Sequence, residues 1–133
     1  MKVTPYLMLD GRGDEAIEFY KKALGAKVGM LMRFSDAPKE ANCSPGSMNK
    51  VMHAALSVGD STIMLSDGDN KGKPAFTGIS LTITAKDEAE ADRLFGAITE
   101  GGQVQMPMEK TFFAKRFGMA ADKFGVNWMI IAE

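Results

Sequence analysis

A single histidine, His53, stands in a run whose other members, Val51, Met52, Ala54, Ala55 and Leu56, are mostly apolar. An imidazole so placed is either a general base or polar anchor for a ligand, since this side chain titrates near neutrality, or a strand histidine satisfied by a hydrogen bond. One histidine is too few for a His-rich zinc site. The charges nearest the aromatic C-terminal stretch are Glu109, Lys115, Arg116 and Asp122. Turned toward a cavity, Arg116 would clamp a carboxylate or phosphonate and Glu109 would serve as a base. Alternation along a strand sends about half of such residues to solvent instead. The lone Cys43 forms no intrachain disulfide, in keeping with a reducing compartment, and no His or helix start lies beside it in sequence to activate the thiol.

Two further patterns carry the outline of a ligand site and fail on detail. Gly11-Arg12-Gly13-Asp14-Glu15-Ala16 has the spacing of a dinucleotide fingerprint between a strand and a helix, with Asp36 further on. Asp10, Asp14 and Glu15 would crowd negative charge against a pyrophosphate, and the next elements read as strands and hairpins rather than a repeated parallel unit. Asp67-Gly68-Asp69-Asn70-Lys71-Gly72 opens like a calcium loop, but Lys71 takes a ligand position and Gly78 stands where a bidentate Glu is needed. It reads as a solvated linker.

The elements that must position these groups recur in order. Residues 3–9 form an apolar run with Pro5 inside it, a strand with its proline near the start or on an unpaired edge. From Asp14 the apolar Ile17, Tyr20 and Leu24 have helical spacing, with Glu18 and Lys22 paired four apart and Gly25 as the stop. Strands come next at 27–34, 51–58 and 61–66, the last two around Gly59-Asp60, while 35–50 is the longest irregular segment and the expected flap. After a polar, glycine-rich linker the order restarts: a strand at 77–85, a helix opened by the capping-box pair Asp87 and Glu90 and ended by Gly101-Gly102, then strands at 103–109, 114–121 and 126–132. Residues repeat with the elements. Glu15-Ala16, Phe19-Tyr20, Ala23-Leu24, Gly25 and Val28 answer Glu90-Ala91, Leu94-Phe95, Ala97-Ile98, Gly101 and Val104, the second copy running one residue longer at the helix end.

The chain is therefore read as an α+β domain, 1–133, of two tandem βαβββ modules: about 1–68 and about 77–133, with a linker at about 67–76. Each module has one sheet face to bury, against the other module or a second chain, and a concave cleft between modules is the expected site. A chain of 133 residues supports one core without staples. Hydrophobic content of 45 %, charged content of 25 % and net charge −1 fit a soluble globular protein with no electrostatic footprint for nucleic acid. No apolar run approaches a membrane span and no basic-then-apolar signal segment opens the chain, so the cytoplasm is the expected compartment. Of the eleven methionines, Met8, Met30, Met32, Met52, Met64, Met106, Met108 and Met129 fall on predicted strands, as core filler or as the wall of a soft, adaptable pocket.

Two such modules, with Phe19-Tyr20 followed by Ala23-Leu24-Gly25-Ala26, resemble the vicinal oxygen chelate superfamily of glyoxalase I, bleomycin-resistance proteins and extradiol dioxygenases. Within it, Pro5-Tyr6-Leu7, Val51-Met52-His53-Ala54, Ile63-Met64-Leu65-Ser66-Asp67, Thr111-Phe112-Phe113 and Asp122-Lys123-Phe124-Gly125-Val126-Asn127-Trp128 look like the PhnB-like branch, over essentially the whole chain. The resemblance implies a glyoxalase-like fold with a concave sheet cleft and a homodimer. It also implies metal positions near Pro5, Met64, Gly78 and Met129, none of them a hard ligand, so that no metal or other cofactor is expected. The expected function is binding of a small organic molecule in an aromatic and Met-lined cleft, with Phe112, Phe113, Arg116, Trp128, Met64 and Met129 as contacts and His53 and Glu109 as catalytic candidates. Two alternatives stand beside it: a metal-dependent lyase, isomerase or dioxygenase holding its ion through residues such as His53 and Glu109, and a non-catalytic dimeric assembly module. Relatives of this branch often carry a ubiquinone methyltransferase label, yet nothing here resembles an adenosylmethionine site.

Overall fold

The computed structural model describes residues 1–37, 48–68 and 74–133. Cys43, most of the expected flap and the middle of the linker lie outside the described residues. The chain divides into two compact units, Met1–Pro74 and Ala75–Glu133. In the first, β1 (Tyr6–Met8), α1 (Gly13–Leu24), β2 (Lys27–Arg33), β3 (Val51–Val58) and β4 (Ser61–Ser66) form a helix and a sheet ordered β1-β4-β3-β2. In the second, β5 (Leu81–Thr84), α2 (Glu88–Ile98), β6 (Gln103–Glu109), β7 (Arg116–Ala121) and β8 (Asn127–Ala132) repeat the plan as β5-β8-β7-β6. Only the outer pairs β1–β4 and β5–β8 are parallel, and the other pairings are antiparallel. The fold is α+β, two modules of strand, helix and three strands.

Strand alternation gives each sheet a packed face and a face turned away from its helix. Leu7, Ala54, Leu56, Ile63 and Leu65 are buried on one face of the first sheet, where they meet Ala16, Ile17 and Tyr20 of α1 in the core. Ala120, Trp128, Ile130 and Ala132 do the same in the second, beneath Ala91, Leu94 and Ile98 of α2. Gly25 ends α1 in the left-handed region, φ 68°, its N–H bonded to the Lys21 carbonyl at 3.1 Å. Asp87 caps α2, its carboxylate accepting from the Glu90 N–H at 2.8 Å. The returning half of the capping box is displaced by one residue, because the Glu90 carboxylate takes the N–H of Lys86 at 3.2 Å.

Two expectations need correcting. On α1, Glu18 pairs with Lys21 at 3.4 Å, three residues on, rather than with Lys22. The strand read at 77–85 begins only at Leu81. Gly78 there has φ 80°, and the Asn127 amide donates to the carbonyls of Phe76 and Ile79 at 2.8 and 3.3 Å, which holds the segment as a turn despite its alternating pattern.

The first unit is tied together at Asp67, 2 % exposed. Its Oδ1 accepts from the N–H groups of Gly11 and Gly13 at 2.9 and 2.7 Å, and its Oδ2 from the Val51 N–H at 2.8 Å. One carboxylate therefore closes the β1–α1 turn, the first turn of α1 and the start of β3 together. A Cβ on Gly13 would stand 2.9 Å from Oδ1, so only glycine lets the helix approach so closely. At Asp67→Asn the new amide must point its NH2 at backbone donors on one side or the other. Unfolding in urea should then show a loss of about 3 kcal/mol, and a loss below about 1 kcal/mol would refute the role given to this carboxylate.

A second electrostatic tie lies at the surface. Arg33 donates to both oxygens of Asp14, at 2.9 and 2.8 Å, and to the Asn49 carbonyl at 2.7 Å. The Arg33 hydrogen bond holds the Asp14 carboxyl below its ordinary 3.8 against the opposing effect of partial burial, and the same bond raises Arg33 above its ordinary value. A lowered folded-state value means the contribution is complete above 3.8 and is lost as pH falls through the folded value. The pair is half exposed and screened, so Asp14→Asn should cost under about 1 kcal/mol at neutral pH. The gap from wild type should narrow in urea titrations at successively lower pH, and a gap that widened instead would contradict this sign.

Candidate functional site

On the face away from α1, the residues opposite one another across the first sheet are Tyr6, Met64, Ala55 and Met30, in the order β1, β4, β3, β2. His53, two residues before Ala55 and on the same face, stands opposite Met32. The Tyr6 hydroxyl lies 2.8 Å from His53 Nδ1, and the two rings are tilted with centroids 5.5 Å apart. Ala55 is thus a small floor with a thioether on each side and the imidazole at one end, and Tyr6 fixes how the imidazole is turned.

The second sheet repeats this row with other fillings. Thr82, Met129, Met119 and Met106 face one another across β5, β8, β7 and β6. Met119 fills the place of Ala55, and Phe117, two residues before it, takes the place of His53. The Thr82 hydroxyl reaches Met129 Sδ at 3.9 Å. Phe117 is buried and carries Phe113 edge-on at 5.1 Å, itself against Phe112 at 5.2 Å. The repeat leaves a small residue beside a polar pair on the first sheet and a row of thioethers and aromatics on the second.

The residues singled out from sequence divide between the two faces. Met64, Met129, His53 and Glu109 lie on the faces turned away from the helices, with Glu109 opposite Phe117 on β6. His53 and Glu109 belong to different units. Phe112 is fully exposed and Phe113 half exposed. Trp128 and Arg116 are corrections. Trp128 is 2 % exposed on the α2 side, its indole N–H donating to Asp122 Oδ2 at 2.9 Å. Asp122 Oδ1 also takes the N–H groups of Phe124 and Val126 at 2.9 and 3.0 Å, so the indole is part of the lock on the β7–β8 hairpin. Arg116 lies on the same side, opposite Ala132, and donates through Nε and Nη2 to Oδ1 of Asp92 on α2 at 2.9 and 2.8 Å. Both were expected at a ligand because they lie near the aromatics in sequence, but the parity of their strands turns them toward the helix.

Of the four positions expected near metal ligands, Met64 and Met129 lie in the facing rows, whereas Pro5 and Gly78 do not. The Pro5 carbonyl accepts from the Met64 N–H at 2.9 Å, and Tyr6 is the residue opposite Met64. Gly78 precedes β5, and the residue opposite Met129 is Thr82. Among the described residues no three His, Cys, Asp or Glu side chains gather in a group that could hold a metal ion. The glycine-rich entry to α1 is explained without a nucleotide, since Asp67 takes the Gly11 and Gly13 amides that a phosphate would use. Tyr6 is the site residue not anticipated from sequence. Its signal is the alternation of Tyr6 and Met8 with buried Leu7 and Leu9, which puts the phenol on the face of His53.

A family model described as 3-demethylubiquinone-9 3-methyltransferase matches residues 1–131. The chain belongs to this PhnB-like family. A Pseudomonas aeruginosa protein of known structure is 39 % identical, covers 100 % of this chain and 98 % of its own, and superposes with a TM-score of 0.88. A Bacillus cereus PhnB protein is 27 % identical over 100 % of both chains, with a TM-score of 0.82. Protein YjdN of Escherichia coli is 34 % identical over 98 % of this chain and 94 % of its own. This PhnB-like chain has the glyoxalase-like fold of the vicinal oxygen chelate superfamily. Its Trp128 is a structural group. Trp128→Phe should leave Asp122 Oδ2 short of a donor and lower stability by about 2 kcal/mol, seen in thermal or urea unfolding. An unchanged midpoint would contradict the lock.

Proposed function

We propose that this PhnB-like protein binds a small organic molecule over Ala55 on the first sheet, without a His/Glu metal site of the superfamily kind. The observation that carries the reading is the difference between the two rows: Ala55 beside the Tyr6–His53 pair in one, Met119 beside Phe117 in the other. An apolar ligand rests on the flexible thioethers of Met30 and Met64, which accommodate varied shapes. One polar group of the ligand meets His53 Nε2, the nitrogen turned away from the Tyr6 contact. Specificity comes from that single directed hydrogen bond and affinity from the apolar area covered. Phe112, Phe113, Met129 and Glu109 remain candidate contacts on the second unit's own face, and His53 is the candidate base on the first. We further propose a homodimer, for which exposed Met8, Val104 and Met106 offer apolar surface.

Ala55→Met copies the second sheet's filling into the first and tests the site directly. A panel of small aromatic and carbonyl compounds should raise the thermal midpoint of the wild type and leave the variant unmoved. His53→Ala should weaken the same compounds by about tenfold through loss of the polar contact. Equal binding by wild type and Ala55→Met would remove the site from the space over Ala55, and a monomeric mass in sedimentation would overturn the dimer.

A further inference from the structure

The donors around Ala55 are soft as well as apolar, and this has a chemical reading of its own. We infer that the space over Ala55 is a site for a soft monovalent cation, Cu(I) or Ag(I), held by the thioethers of Met30 and Met64 and by Nε2 of His53. Met30 and Met64 stand opposite Ala55 from its two sides. The strands that carry them lie about 9–10 Å apart, twice the strand spacing. Unbranched thioether side chains flanking Ala55 in register are long and flexible enough to turn both sulfurs toward one ion above its methyl. Any larger residue at 55 would occupy that place.

The imidazole completes the set in a defined orientation. Its Nδ1 is 2.8 Å from the Tyr6 hydroxyl. With the proton on Nδ1, the ring donates to the phenol oxygen and presents the Nε2 lone pair to that place, the arrangement in which a ligating histidine is held by an outer-shell partner. Two thioethers and an imidazole are neutral, polarisable donors that favour Cu(I) over Mg, Ca or Zn. The second sheet serves as an internal comparison. Met106, Met119 and Met129 stand in one row there, but Phe117 replaces the imidazole and Met119 covers the floor.

The ion takes the place proposed for the organic ligand, so the two readings share one site, and Met64→Leu separates them by keeping an apolar wall while removing the sulfur. The full chain, in buffer free of thiols and chloride, is titrated with Ag(I) while methionine methyl and His53 ring resonances are followed by NMR. Cu(I) affinity is measured against a competing chelator. One equivalent should bind, shifting Met30, Met64 and His53. Met64→Leu and His53→Ala should each weaken it at least about tenfold, Ala55→Met should abolish it, and Met119→Leu should leave it unchanged. Met64→Leu, a near-isosteric change, keeps the test open should His53→Ala fold poorly. No uptake of Ag(I), uptake unaffected by Met64→Leu, or shifts confined to Met106, Met119 and Met129 would overturn the inference.

Discussion

The first module depends on one buried carboxylate. Asp67 comes directly after β4, yet its two oxygens take amide hydrogens from the turn after β1, from the first turn of α1 and from the start of β3. These segments are distant in sequence, and each leaves a backbone donor that would otherwise be buried without a partner. Satisfying three of them with one side chain fixes β1 against β4 and so sets the register that places Tyr6 beside Met64 and within reach of His53. The chemistry proposed over Ala55 is therefore downstream of an interaction on the opposite, helix-bearing side of the sheet. Gly11, with φ 94°, and Gly13, where Asp67 crowds out any Cβ, answer to the same constraint.

The second module reaches the same topology by another route. Its buried carboxylate, Asp122, organises the β7–β8 hairpin and receives the Trp128 indole, a local lock within one turn. Arg116 joins β7 to α2 through Asp92. Two copies of one plan have thus diverged in how they are held and in what they present. One keeps a small residue beside a polar pair, and the other fills its row with methionine and phenylalanine.

The architecture was legible because it rests on period and punctuation. Helical spacing in 14–24, the Asp87 cap, the Gly59-Asp60 turn and the alternation in β3, β4 and β8 are local signals that the fold obeys. The strand predicted at 77–85 failed because a side chain from far along the chain, Asn127, decides what its first residues do. The site was less legible for a related reason. Proximity in sequence suggested Trp128 and Arg116, whereas the face a residue occupies depends on strand parity relative to a helix elsewhere. Reading parity from the buried members of each strand would have moved both to the packed side. It would also have brought Tyr6 to His53 once the β1–β4 pairing was known. No spacing rule in the sequence states that pairing.

Within each sheet the outermost strand opposite the parallel edge is irregular. β2 shifts register between Val28 and Met30 and again between Met32 and Arg33, and β6 does so between Val104 and Met106 and between Met106 and Glu109. A straight edge strand offers an evenly spaced row of backbone donors and acceptors to any passing chain, and a bulge breaks that spacing. Methionine-rich surface beside a regular edge would invite uncontrolled strand addition. Two interruptions in each of these outer strands break the regular row of backbone groups beside the soft apolar face.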